Sequence, residues 1–182
     1  LELGGKSPNI ILDDADFADA IPKAIFAAYL NSGQACAAAT RLLVPAKRVD
    51  EVNAIAKATI EQALKVGYPK DKSVNICPMV GCKQWETIQG YIHSGIEQGA
   101  TLLTGGLGKP EGLETGNFVK PTIFTNVNNK MRIAQEEIFG PVLCIIPYED
   151  DADATKIAND TPYGLCSYIT SADKNRAYEL AK

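Results

Sequence analysis

The sequence predicts an α/β fold in which a mostly parallel sheet carries helices on both faces. Two observations point to it. Short, mainly apolar runs (Asn9–Leu12, Arg41–Pro45, Val142–Ile146) are too brief for helices and suit strands buried on both sides. Longer stretches with apolar residues three and four apart lie between such runs, as core-facing helices require. No linker or internal repeat interrupts the alternation, and 182 residues suffice for a sizeable core.

The first strand is Asn9–Leu12, closed by Asp13-Asp14. Asp16 can cap a helix running to about Leu30, with Ile21, Ile25, Ala28 and Tyr29 on its buried face and Pro22 as a possible bend. Arg41–Pro45 reads as a strand and Val49 to Leu64 as a helix. Lys83 to Gln98 has Trp85, Ile88, Ile92 and Ile96 at helical spacing and Gly99 as its stop. Thr101–Leu103 is a strand running into a turn-rich loop, Gly105 to Gly116. Phe118–Phe124 alternates like a strand, and Val142–Ile146 is another. A helix over Asp151–Asn159, a strand over Leu165–Thr170 and a helix from Asp173 onward complete the series. The absence of an initiator Met, of an element before Gly4-Gly5 and of a cap after Lys182 suggests a piece of a longer chain.

Hydrophobic residues at 46% and charged residues at 22% are those of a soluble globular protein. A net charge of −4 without any Lys/Arg cluster argues against nucleic-acid or anionic-membrane partners. No apolar run approaches the roughly 20 residues that span a bilayer. The five cysteines lack framework spacing and no secretory signal precedes them, so reduced thiols in the cytoplasm are expected. Cys77 and Cys82 have no accompanying ligands, and no metal site is expected. Cys144 and Cys166, in apolar strands, are assigned to the core. His93, the only histidine, lies on a helix at the surface or its boundary, so a Cys–His protease dyad is not expected.

Three segments could carry chemistry. In Asn31-Ser32-Gly33-Gln34-Ala35-Cys36 a cysteine sits at a helix-to-strand turn among small residues. A substrate could approach it, and free backbone N–H groups there could bind an oxyanion. Taken alone, Cys36 could equally be a small buried hydrophobe. In Leu1-Glu2-Leu3-Gly4-Gly5-Lys6-Ser7-Pro8, Glu2 is either a desolvated general base or a solvent-facing strand residue. The glycine pair would let backbone approach a ligand, although neither dinucleotide-loop nor Walker spacing is present. In Gln135-Glu136-Glu137-Ile138-Phe139-Gly140-Pro141, a carboxylate could hold ribose hydroxyls and Phe139 could pack on a flat ring. The plainer alternative is a helix end followed by a core aromatic.

Together the three closely resemble the aldehyde dehydrogenase superfamily. Glu2 in LELGGKSP, Cys36 in GQAC, and Glu137 and Phe139 in EEIFGPV match its motifs in order, and the interval from Glu2 to Cys36 matches the family's. The resemblance continues through VGYP, KPTIF and IANDTPYGL, nearly the whole chain. One departure is Cys77, which stands where the family usually has glycine.

The resemblance implies oxidation of an aldehyde to its acid with NAD or NADP. Cys36 would attack the carbonyl, giving a thiohemiacetal and then a thioester, and Glu2 would activate the hydrolysing water. Leu3 and Gly4 would lie near the nicotinamide, Glu137 would bind its ribose and Phe139 would pack beside it. Residues 1–182 would form the catalytic domain, with the glycine-rich cofactor-binding part upstream and a C-terminal segment downstream. The full-length enzyme would be a dimer or tetramer of identical chains. The 182 residues alone would fold without turning over. The presence of Glu2 argues against the related class that passes the acyl group to coenzyme A, and the presence of Cys36 argues against a non-catalytic relative.

Overall fold

A computed structural model describes residues 3–182; the proposed base Glu2 lies outside the described residues. The strands are β1 (Pro8–Ile11), β2 (Arg41–Pro45), β3 (Thr101–Thr104), β4 (Thr122–Thr125), β5 (Val142–Tyr148) and β6 (Tyr168–Thr170). The helices are α1 (Phe17–Ala28), α2 (Val49–Ala63), α3 (Cys82–Glu97), α4 (Arg132–Gln135), α5 (Asp151–Asn159) and α6 (Lys174–Leu180). One sheet runs β3-β4-β5-β2-β1-β6, parallel throughout except for β3, which pairs antiparallel with β4 at the edge.

The central strands are apolar on both faces because both are covered. Along β5, Val142, Cys144 and Ile146 meet Ile88 and Ile92 of α3, Ile133 of α4 and Ala154 of α5. The intervening Leu143 and Ile145 join Ile21 and Ile25 of α1 and Val52 and Ala56 of α2. This period-two division is what a two-sided core demands of a strand.

Local signals hold where they are strong. Asp16 caps α1, its side chain accepting from the Ala18 N–H at 3.1 Å, and the helix continues through Pro22. Asp150 and Asp173 cap α5 and α6 in the same way.

Three expectations are corrected. The strand expected over 118–124 is instead Thr122–Thr125, so residues 118–121 lie outside it. The Phe118 carbonyl accepts from Trp85 Nε1 at 2.8 Å, and Pro121 has no N–H for a ladder. Strand β6 starts at Tyr168 rather than Leu165. Asn9 is the register partner of Tyr168, so pairing further back would fall on Pro8, which has no N–H. On α3, Tyr91 and Gly95 take the buried face that includes Ile88 and Ile92, and Ile96 is exposed.

Arg41 ties these layers together. It is fully buried and, among the described residues, has no carboxylate partner in hydrogen-bond contact. Its Nε donates to the Lys6 carbonyl at 2.8 Å, and its two terminal nitrogens donate to Asn129 Oδ1, Ile157 O and Ala158 O at 3.0, 2.8 and 2.8 Å. The last two carbonyls belong to the end of α5, where a helix leaves acceptors unpaired and its dipole favours a cation. Burial pulls the Arg41 pKa down to about 10, which leaves it charged at neutral pH.

Candidate active site

Between α1 and β2 the backbone enters the left-handed region at three successive residues, Asn31 (φ 51°), Ser32 (φ 60°) and Gly33 (φ 72°). Such a conformation costs a non-glycine residue about 1–2 kcal/mol, so it persists only where other bonds fix it. Here Asn31 Nδ2 donates to the Gln34 carbonyl at 2.9 Å. Ser32 Oγ accepts from the Cys77 N–H at 2.8 Å, and Gln34 Oε1 accepts from the Val80 N–H at 3.0 Å. Gly33 is required, because a Cβ there would run into the Gly140 carbonyl. The loop is thus docked on one side against 77–80 and on the other against Gly140-Pro141. Cys77, far from the motifs in sequence, supports the loop through its backbone.

Cys36 stands exposed on the turn that follows, which the Ala38 N–H closes onto the Ala35 carbonyl at 3.1 Å. The Cys36 N–H makes no hydrogen bond among the described residues. The other cysteines differ. Cys144 is fully buried, as expected, with Sγ 3.3 Å from the Ile133 carbonyl, and burial pushes its thiol up. Cys166, assigned to the core from sequence, is instead half-buried outside the strand. Its Sγ lies 3.1 Å from Ser7 Oγ and 3.6 Å from the Ala37 carbonyl. It lines a cavity of about 330 Å³ beside β6 together with Ser7, Tyr163 and Leu165. Cys82 is exposed, and its bond to Glu86 raises its pKa.

The glycine pair brings the three segments together. A Cβ on Gly5 would collide with the Cys36 carbonyl oxygen, so only glycine permits that approach. The Gly5 N–H donates to Glu137 Oε1 at 3.0 Å. A Cβ on Gly4 would come within 2.8 Å of Glu137 Oε2 and 3.2 Å of the Tyr163 ring. Glu137 Oε2 therefore stays open beside bare backbone, without a hydrogen-bond partner among the described residues. Leu3 is exposed at 71%, and Phe139, in the left-handed region at φ 56°, is exposed at 38%. Glu136 turns the other way, to Tyr91 and Arg132.

The family model for the aldehyde dehydrogenase family matches residues 1–182. The chain belongs to the aldehyde dehydrogenase family. A 3-succinoylsemialdehyde-pyridine dehydrogenase from a Pseudomonas species is 50% identical over all of the chain. The chain spans only 38% of that relative's length. Two crystal structures superpose on 99% of the chain, each through 37% of its own length. One is aldehyde dehydrogenase C of Pseudomonas syringae, a cysteine-to-alanine mutant with NAD+ and octanal, at TM-score 0.96 and 46% identity. The other is the Mycobacterium tuberculosis aldehyde dehydrogenase with NAD+, at TM-score 0.95 and 49% identity. The aldehyde dehydrogenase fold is thus that of the mostly parallel sheet described above.

Several site-building residues of this family member have no legible sign in the sequence. Arg41 looks like the start of a strand, and the partners of Gln34 and Ser32 lie more than 40 residues away. Lys6 is fully buried with its Nζ unpartnered among the described residues, and desolvation brings its pKa down to about 8 against the opposing pull of Cys144, Glu137 and Glu136. Among the described residues, no group of His, Cys, Asp and Glu could hold a metal, and no helix is long and apolar enough to cross a membrane.

Proposed function

We propose that the protein carrying this chain oxidises an aldehyde to its carboxylic acid with NAD or NADP, and that residues 1–182 contribute its catalytic domain. The observation that carries the reading is Gly5, which touches the Cys36 carbonyl and bonds to the Glu137 carboxylate. Three segments that are each ambiguous alone meet at that residue. The NAD+ complexes of the two bacterial relatives support the cofactor. The P. syringae complex also holds octanal in a cysteine-to-alanine mutant, as expected if the missing thiol would otherwise attack the aldehyde.

The Cys36 thiolate forms a carbon–sulfur bond to the aldehyde carbonyl, and the carbonyl π electrons move to oxygen. The unpaired Cys36 N–H is available to that oxyanion. The nicotinamide, when bound, supplies the acceptor for the hydride that the thiohemiacetal loses. A thioester remains on Cys36. Glu2 then takes a proton from water, the hydroxide adds to the thioester carbon, and the carbon–sulfur bond breaks to release acid and thiolate. The residues fit the ribose half of the cofactor. Glu137 Oε2, left open beside Gly4, can accept from a ribose hydroxyl, and Phe139 and Leu3 offer exposed apolar surface beside it.

Two substitutions in the whole protein separate the roles. Cys36→Ser abolishes NADH formation, because a hydroxyl without a dedicated base is a far weaker nucleophile. Glu2→Gln allows one burst of NADH per site and then stalls, since only deacylation needs the base. Stopped-flow absorbance at 340 nm reads both. A steady rate near wild type in Glu2→Gln would refute the hydrolytic role, and turnover by Cys36→Ser would refute the nucleophile.

A further inference from the structure

Helix α3 presents Gln84, Ile88 and Tyr91 on one face at i, i+4 and i+7, and all three act on the segment 136–140. Tyr91 donates its hydroxyl to Glu136 Oε2 at 2.8 Å. Ile88 occupies the space a Gly140 Cβ would need. Gln84 Nε2 donates to two successive carbonyls, those of Ile138 at 2.9 Å and Phe139 at 3.0 Å. Neither carbonyl has another hydrogen-bond donor among the described residues.

Successive carbonyls of an extended chain point to opposite sides and cannot both reach one nitrogen. They point the same way only when the residue between them adopts a helical sense, and that residue is Phe139 at φ 56°. The double bond from Gln84 is therefore satisfied by the turned conformer of Phe139 and broken by the extended one.

We propose that Gln84 is a positioning residue that selects this conformer, and so sets where Phe139 and the neighbouring Glu137 stand relative to the Cys36 loop. The inference rests on the reading of Glu137 and Phe139 as holders of the nicotinamide ribose half. It assigns Gln84 no contact with the cofactor, only the backbone geometry of the residues that make that contact.

The test uses the whole protein with Gln84→Met, which keeps the length of the side chain and removes the donor, and Gln84→Lys, which keeps a donor. We expect Gln84→Met to raise the KM for the dinucleotide about tenfold, as a misplaced binding group does. Affinity for AMP, which has no nicotinamide, and the rate of Cys36 alkylation should stay within about twofold, and Gln84→Lys should recover most of the loss. An equal loss of AMP and dinucleotide binding would mean a merely structural residue and overturn the proposal. So would an unchanged KM in Gln84→Met while Phe139→Ala raises it. If Phe139→Ala and Glu137→Gln also leave the KM unchanged, the reading of those two residues falls, and the inference with it.

Discussion

At the amino ends of β1, β2 and β5 the chain is held by backbone approach and buried polar bonds, whereas at their carboxyl ends one buried bond, from the Tyr148 hydroxyl to the Ile11 carbonyl, is flanked by partly exposed charges. Gly4-Gly5, Cys36 and Glu137 all precede the strands they lead into. In open α/β sheets ligands ordinarily bind beyond the carboxyl ends, so the site proposed above reverses the usual geography. The carboxyl ends carry Asp13, Lys47 and Asp151, with Arg176 donating to Asp13 Oδ1 at 2.7 Å and Asp151 Oδ1 at 2.6 Å. These partners are about a third exposed, and Arg176 holds Asp13 below the usual carboxylate range. Charges in water attract weakly and tolerate sloppy geometry. Backbone in van der Waals contact tolerates none, as the proposed site at that end would require of atoms placed to within about half an ångström.

The contrast predicts unequal costs of substitution. Arg41→Met at the amino end leaves the acceptors on Lys6, Asn129 and Ala158 without their Arg41 donor and the Ile157 carbonyl with only the Asp160 N–H. It should destabilise the protein by about 3 kcal/mol or more in urea unfolding, since each buried acceptor left unpaired costs about 1–3 kcal/mol; a loss below about 1 kcal/mol would erase the distinction between the two ends.

Lys6→Met acts in the opposite direction. Burial lowers the Lys6 pKa from 10.5 to about 8, so between those values the unfolded chain binds the extra proton. Stability of the wild type therefore rises with pH across that window, as the cost of burying the charge is relieved. A shift of this size corresponds to about 3 kcal/mol. Lys6→Met should be more stable than wild type by that order at pH 7, and the gain should shrink towards zero near pH 11. A gain that does not vary with pH would mean that packing, not desolvation, is the cause.

The smallest effect belongs to the carboxyl end. Arg176→Ala should cost about 1 kcal/mol and less in 1 M salt, because its ion pairs face solvent. A loss that is large and indifferent to salt would show that this network is built like the other end.

The same contrast explains what the sequence made legible. The bounds of β2 and α5 and the Asp16 cap follow from residues within a few positions of one another, and they match the structure. The candidate residues Cys36, Gly4, Glu137 and Phe139 were legible only as members of recurring motifs. What joins them was not. The Gly5–Glu137 bond, the clamp from Gln84 and the tether from Arg41 each depend on partners brought close by the sheet. Cys166 was misread for a related reason, since an apolar sequence neighbourhood says nothing of Ser7 and Ala37, which lie beside it in space.

The bond from Gly5 to Glu137 closes 132 residues of sequence. Strands β2 and β5 are neighbours in space but not in order, and contacts of such long range form late and slowly. Before β1, β2 and β5 align, Cys36 has neither the Gly5 contact nor Glu137 nearby. The geometry to which the proposed chemistry is assigned is thus a property of the assembled sheet, absent until the chain closes on itself.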